Sequence, residues 1–400
     1  MMGVFRTNEG REKVRAAYRA ILGHFPITQR YVDTLLGRTF LIEAGAADAP
    51  PVVLLHGSCG NSAFWLGDVF QLAARFRVLA VDIIGEAGLS DEQRPNLESD
   101  AYVRWLEAVL DGIGAPRVAL VGNSFGGWLA LKFAIARPER VAKLAAVAAS
   151  GIVPPSGLFQ TESLRKNLEG SAGRSTLNKA VTEGADLPEP VADFLRLIGE
   201  NFRPMTEPLP LFADEALKSL EMPVFFAFSG QDATMDARAA AARAQALLPR
   251  ADVRLLEQAG HVVTNIGEIV LPFLSDAPEF HILENGGASV AIIDRWARIR
   301  TPQDMLDAMV TAGYLGCRSM AVYAESLGEG FFDLKTGIAG ELLQKFSNYH
   351  MRVAIIGDFS EYESRSLRDF IRESNKGKTV CFVDSLERAL GKLAGETKTP

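Results

Sequence analysis

From Thr39 onward, short apolar runs rich in β-branched residues alternate with longer stretches in which apolar positions recur every three or four residues. The short runs are FLIEA at 40–44, VVLL at 52–55, RVLAVD at 77–82, RVALVG at 117–122, KLAAVAA at 143–149, PVFFAFS at 223–229 and DVRLLEQ at 252–258. Such runs, separated by helical periods, predict buried strands in a mostly parallel sheet covered on both faces, an α/β fold. The N-terminal MMGVFRTNEGREKVRAAYRAILGHF is broken by charges every few residues, which predicts an amphipathic helix and not the apolar stretch of a signal peptide.

Roughly 70 residues separate Ala149 from Pro223, much more than an ordinary loop. Three segments there carry a helical period divided by Gly and Pro: LFQTESLRKNLEG, STLNKAVTEGA and PVADFLRLIGENF. They predict a small helical cap inserted over the sheet at about residues 152–215. A breaker-rich stretch, DAPEFHILENGGA at 276–288, then marks a boundary near residue 280. Beyond it the pattern repeats as strand SVAIID, helix TPQDMLDAMVTAGYLG, strand SMAVYAE, helix GIAGELLQKFSNY, strand RVAIIGD, helix SLRDFIRES, strand TVCFVD and helix LERALGKLA. The expected organisation is a first domain over 1–279 and a second, small α/β domain over 280–400.

Charge and composition narrow the function classes. With 42 Lys and Arg against 49 Asp and Glu, the net charge is -7, which offers no general attraction to nucleic acid or to anionic lipid. Basic and acidic side chains nearly balance in 281–400, so that region reads as a folded module and not a charged tail. The longest weakly polar stretch, around Leu144 to Val153, is about half the ~20 residues of a membrane span. Cys59, Cys317 and Cys381 are far apart and form no C-x-x-C pair, which argues against a disulfide framework or zinc knuckle and fits a reducing cytoplasm. A soluble, cytoplasmic protein is expected.

The chemistry concentrates at Gly122-Asn123-Ser124-Phe125-Gly126-Gly127, a G-x-S-x-G sequence between a strand and a helical run. A sharp strand-to-helix turn strains the serine backbone and raises its hydroxyl above the sheet. A serine hydroxyl needs a base near neutral pH. His261, after a strand and Gln258-Ala259-Gly260, stands at the sheet edge where open α/β sheets collect ligands. Asp232, directly after PVFFAFS, supplies the acid in the order Ser, acid, His; Asp236 is a nearby rival. The Phe125 amide, at a helix N-terminus, and the Ser58 amide, in His56-Gly57-Ser58-Cys59-Gly60, are the candidate oxyanion donors. His56 reads as a residue holding that loop, Cys59 as a packed residue and not a second nucleophile, and Trp65 as a candidate pocket wall.

Residues 30 to 275 resemble the α/β-hydrolase superfamily, and most of all its bacterial carboxylesterases, through VVLLHGSCGNSAFW, VLAVDIIGEAGLS, GNSFGGW, RPERVAKLAAV and QAGH. The resemblance implies Ser124 as nucleophile, His261 as base, Asp232 as acid, the Ser58 and Phe125 amides as oxyanion hole, no metal or organic cofactor, and a small-molecule carboxylic ester as substrate. Carbon-carbon bond hydrolases share GNSFGG and HGS, but Cys59-Gly60-Asn61 departs from their usual continuation. Residues 283–400 resemble a family of small uncharacterised bacterial proteins, and their strand and helix order is similar to that of STAS domains, which work by protein contact. Thr336, in Asp333-Leu334-Lys335-Thr336-Gly337, sits near the place of the STAS phosphorylation site, although an N-cap role also fits. The expected function is an ester-cleaving serine hydrolase; the alternatives are a small-molecule sensor of the same fold that signals through the second domain to a protein partner, and a carbon-carbon bond hydrolase.

Overall fold

The computed structural model describes residues 3–394 except 161–162, 165–167, 169–170, 183–186, 276–279, 286–287, 294, 296, 298, 300, 361 and 363. Parts of the first cap segment, LFQTESLRKNLEG, and of the breaker-rich stretch lie outside the described residues. The chain divides into two compact units between Val270 and Leu271.

The first unit is built on strands β1 (Thr28–Thr34), β2 (Gly37–Ala44), β3 (Pro51–Leu55), β4 (Arg77–Val81), β5 (Val118–Asn123), β6 (Val141–Val147), β7 (Val224–Ser229) and β8 (Asp252–Leu256). They form one sheet in the order β1-β2-β4-β3-β5-β6-β7-β8. From β4 to β8 the pairing is parallel, and β1 and β2 close the other edge antiparallel. Val52, Val53, Leu54 and Leu55 are all fully buried, as are Val78 to Val81. A strand with no exposed face is covered on both sides, which explains its unbroken apolar sequence.

Helices α1 (Asn8–Leu22), α2 (Leu66–Ala73), α3 (Ala101–Gly112), α4 (Phe125–Ala136), α5 (Ser171–Thr182), α6 (Glu189–Asn201), α7 (Asp214–Lys218), α8 (Ala237–Leu247) and α9 (Ile266–Leu274) begin in this unit. The N-terminal helix is α1, whose Val14, Tyr18 and Leu22 are buried at a spacing of four residues. Helices α5, α6 and α7 fall between β6 and β7, where the sequence predicts a helical insertion. Tyr18 and Phe64 both lie against Phe194 of α6, with ring centroids 6.2 and 6.0 Å away.

The chain leaves β3 for β4 on one side and returns to β5 on the other. That reversal opens a crevice at the carboxyl ends of β3 and β5, the usual ligand position in an open α/β sheet.

The second unit holds strands β9 (Phe280–Asn285), β10 (Ala288–Ile293), β11 (Ser319–Tyr323), β12 (Arg352–Ile356) and β13 (Val380–Val383) in the order β13-β12-β11-β10-β9. Helices α10 (Pro302–Tyr314), α11 (Ile338–Asn348), α12 (Arg365–Ser374) and α13 (Leu386–Leu393) alternate with the parallel strands β10 to β13. Ala291 and Ile293 belong to one apolar cluster and Val290 and Ile292 to another, so both faces of this sheet are covered.

Two strands depart from the sequence expectation. TQRYVDT forms β1, and FHILEN, part of the breaker-rich boundary stretch, forms β9 and pairs antiparallel with β10 from Phe280↔Ile293 to Asn285↔Ala288. Both are edge strands with little burial: Val32 is the buried residue of β1, and β9 has none. A half-solvated edge needs few apolar residues, so the composition signal that marks the central strands is absent.

Candidate active site

Ser124 stands between β5 and α4 with φ 51° and ψ -111°, a conformation that costs a non-glycine residue free energy and is kept only where surrounding contacts fix it. Its N–H donates to the Val147 carbonyl at 2.9 Å, and its own carbonyl accepts from Trp128 at 3.0 Å. Glycine at 126 is a steric requirement, since a Cβ there would stand 2.0 Å from the Leu55 carbonyl oxygen. Although Ser124 occupies the N-cap position of α4, its side chain makes no capping bond. The hydroxyl instead lies 3.0 Å from His261 Nε2.

His261 Nδ1 lies 2.8 Å from Asp232 Oδ2. A carboxylate only accepts, so the proton belongs on Nδ1 and Nε2 is left as the acceptor for the Ser124 hydroxyl. The Asp232 side chain is fully buried, and that of His261 is 11% exposed. Burial alone would raise the Asp232 carboxyl; hydrogen bonds from His261 and Thr234 outweigh it and hold the group below its ordinary range. Thr234 donates both its N–H and its hydroxyl to Asp232 Oδ1 at 2.7 Å. Asp236, the rival acid, caps α8 through the Ala239 amide and takes no part in this cluster.

The loop after β3 lies against Ser124: a Cβ on Gly57 would be 3.4 Å from Ser124 Cβ. Among the described residues no acceptor is paired with the Ser58 or Phe125 amide, whereas the carbonyl on the other end of the Ser58 peptide unit is firmly held. The Gly57 oxygen accepts from Gly60 N–H at 3.1 Å and lies 2.8 Å from His56 Nδ1. Ile83 N–H donates to His56 Nε2 at 2.9 Å, which leaves the imidazole proton on Nδ1 to donate to Gly57. Because C=O and N–H are antiparallel in a trans peptide, fixing the Gly57 carbonyl fixes the direction of the Ser58 N–H. Burial lowers the pKa of His56 and favours the neutral ring that this pattern needs.

Three more bonds tie this loop to the one after β4. Cys59 N–H donates to Glu86 Oε2 at 2.6 Å, Asn61 Nδ2 to the Ala87 carbonyl at 2.9 Å, and Ser62 N–H to Asp82 Oδ1 at 2.8 Å. Asp82 also accepts from Tyr18, the Ser62 hydroxyl and Leu89, the loop-bonding role of a buried strand-end acid. The Cys59 thiol is pushed up to about 12 by burial and by Glu86, which removes it as a rival nucleophile.

The structure thus brings Ser124, His261 and Asp232 together, with Phe125 and the Ser58 loop beside them. Trp65 is 2% exposed at the end of the 3₁₀ turn Ser62–Trp65, and no partner for its indole N–H occurs among the described residues. In the second unit, Thr336 is exposed and its hydroxyl donates to the Gly330 and Asp333 carbonyls at 2.6 and 2.8 Å. The left-handed residue preceding α11 is Gly337, and the Thr336 hydroxyl both closes the turn before it and accepts the N–H of Ile338, the first residue of α11, at 3.3 Å. The sequence reading did not find Thr234 or Glu86. Asp-x-Thr after a strand is a side-chain turn signal that could have pointed to Thr234, but Glu86 carries no local signal.

An eight-stranded, mostly parallel sheet with a serine at the elbow between strand and helix defines an α/β-hydrolase fold. Residues 52–280 match the alpha/beta hydrolase family, and the chain belongs to that family. Residues 285–393 match a domain of unknown function (DUF4180). Carboxylesterase YbfK of Bacillus subtilis is 28% identical over 278 residues, covering 64% of this chain and 92% of the relative. The uncharacterized carboxylesterase nap of the same organism is 28% identical over 276 residues, covering 64% and 91%. The crystal structure of naproxen esterase (carboxylesterase NP) from Bacillus subtilis superimposes with a TM-score of 0.61 at 25% identity, over 68% of this chain and all of that one.

Among the described residues no helix is long and apolar enough to cross a membrane. Cys59, Cys317 and Cys381 are unpaired.

Proposed function

We propose that the protein is a serine hydrolase that cleaves a small-molecule carboxylic ester through an acyl-enzyme. The observation that carries this reading is His261 bridging Ser124 at 3.0 Å and Asp232 at 2.8 Å, with the serine at a strained elbow. Likeness to carboxylesterases over nearly their whole length supports the ester as substrate class.

Ser124 Oγ attacks the ester carbonyl carbon while its proton passes to His261 Nε2. The carbonyl π electrons move to oxygen, and that oxyanion accepts hydrogen bonds from the Ser58 and Phe125 amides. Asp232 stabilises the imidazolium and keeps its ring in place. Collapse of the intermediate expels the alcohol, which takes the proton from His261 and leaves the acyl group on Ser124. Water then attacks the acyl carbon with His261 again as base, and the carboxylic acid leaves. The reading calls for no cofactor.

Intact-protein mass spectrometry after treatment with a fluorophosphonate tests the assignment, together with turnover of nitrophenyl esters of graded acyl length. A single adduct mapped to Ser124, absent in Ser124→Ala, and ester turnover by the wild type are expected. No adduct on folded protein would overturn the reading and favour a small-molecule sensor of the same fold.

We further infer that the chain works as two modules, the hydrolase over 1–279 and a protein-contact module over 280–400. All five proposed reacting groups lie before Val270, so removal of residues 281–400 should leave ester turnover within about twofold. A large loss would assign that region to the reaction.

A further inference from the structure

Glu86 is a buried acid, 3% exposed, that the proposed reaction does not use. Its carboxylate accepts the Cys59 amide at 2.6 Å, the length of a charge-assisted bond. Cys59 is the third residue of the turn closed by Gly60 N–H to the Gly57 carbonyl, and its φ is 60°. Positive φ at that position requires the Ser58–Cys59 peptide to be turned over relative to the commonest turn, a state normally left to glycine. Returning Cys59 to negative φ would swing its N–H away from Glu86 and bring the Ser58 carbonyl oxygen toward the carboxylate. An ionised Glu86 opposes that flip twice, by the bond lost and by the repulsion gained.

Taking the serine-hydrolase reading as its basis, we propose that ionised Glu86 is a positioning residue for the oxyanion loop, clamping the Cys59 amide so that the Ser58 N–H stays directed at the reacting carbonyl. A preorganised donor accelerates the chemical step because no reorganisation accompanies the charge that develops. Protonated Glu86 could instead donate its hydroxyl to a flipped Ser58 carbonyl, so neutralisation loosens the loop.

The Arg94 guanidinium and the Cys59 amide favour the ionised form of Glu86, whose charge in turn raises the Tyr102 hydroxyl of α3 and the Cys59 thiol. Arg94 is anchored to the Gly85 carbonyl at 3.0 Å and the Arg203 carbonyl at 2.6 Å. Burial raises the Glu86 carboxyl to about 7, against the opposing pull of Arg94 and the Cys59 amide. The folded chain therefore holds this proton more tightly than the unfolded chain does. The associated stability is complete below the ordinary value of 4.5 and is lost as pH rises through about 7, while the clamp needs the ionised form that prevails above it. Clamp and stability favour opposite protonation states.

The full-length chain has three cysteines, so selective labelling with ¹⁵N-cysteine yields three backbone amide signals, of which Cys59→Ser identifies one. In the wild type, the Cys59 amide is expected far downfield and to titrate with a midpoint near 7, a shift that Glu86→Gln abolishes. Glu86→Gln should also lower kcat/KM for an ester by about 10- to 100-fold, mainly in kcat, and make the acid limb of its pH profile less steep. Its Tm at pH 8 should match or exceed the wild-type value, which a merely structural role would not allow. Glu86→Asp, which keeps the charge on a shorter stem, should recover part of the rate.

A Cys59 amide signal that lies at an ordinary position in the wild type and does not move in Glu86→Gln would overturn the proposal. So would a Glu86→Gln enzyme with kcat within twofold of wild type. A titrating Cys59 amide in a chain with no ester turnover would support the clamp and overturn the proposed reaction instead.

Discussion

The Asp68 carboxylate of α2 accepts the backbone N–H of Gly267 in the first turn of α9 at 2.7 Å, although Asp68 is only 6% exposed. The bond ties α2 to the helix that begins five residues after His261. Burial raises the Asp68 carboxyl to about 6 from an ordinary value of 3.8, the Gly267 bond opposing part of the shift. The folded protein thus holds this proton more tightly than the unfolded chain, and the associated stability is lost as pH rises from 3.8 through about 6. Asp68→Asn keeps an acceptor for Gly267 and removes the charge. At pH 8 it should be more stable than wild type by up to about 2 kcal/mol, with the gain vanishing toward pH 4. Denaturant unfolding at the two pH values measures this; an equal effect at both would contradict it.

His56 directs the Ser58 amide through the Gly57 carbonyl. His56→Leu should lower kcat by about 100-fold or more and slow fluorophosphonate labelling in parallel. The Ile83 N–H also loses its acceptor, so stability should drop by about 1–3 kcal/mol. If labelling kept its wild-type rate while Tm fell, His56 would be holding the loop together without orienting the donor.

Backbone strain at Ser124 separates two variants that are both expected to be inactive. Ser124→Gly removes the Cβ from an unfavourable conformation and should raise stability by about 1–3 kcal/mol. Ser124→Ala keeps the Cβ and should unfold near the wild-type temperature. Calorimetry of the pair provides the comparison, and a glycine variant less stable than the alanine one would refute the strain assignment.

Thr234 supports Asp232 with two hydrogen bonds, of which Thr234→Val deletes the one from the hydroxyl. The Asp232 carboxyl should then titrate at higher pH, and kcat/KM should fall about three- to tenfold at neutral pH, the size of one lost supporting bond. Unchanged kinetics would mean that the His261 contact and the Thr234 amide hold Asp232 without help.

The core of the sheet and the cluster of Ser124, His261 and Asp232 are legible in the sequence because both leave dense local signals. Val52–Leu55 is apolar at every position, as a strand covered on both faces must be, and the glycines around Ser124 answer to contacts as close as that between position 126 and the Leu55 carbonyl. His261 and Asp232 could be chosen because each follows a strand at one sheet edge. Edge strands such as Phe280–Asn285 escaped, since half of their surface meets solvent and their residues look like those of a turn. Glu86 escaped for a different reason. Its role depends on a peptide 27 residues away in the chain, and no periodicity or short motif encodes a contact between two separate loops.

Every group in the proposed reaction comes from a loop after β3, β5, β7 or β8, and the helical insertion between β6 and β7 contributes none of the five. The insertion is nonetheless anchored to the sheet domain, since Trp128 of α4 donates its indole N–H to the Pro210 carbonyl at 2.9 Å and packs against Phe212. The sheet and its connecting loops thus hold all five groups, and the insertion is a separate layer docked on them through a few aromatic contacts.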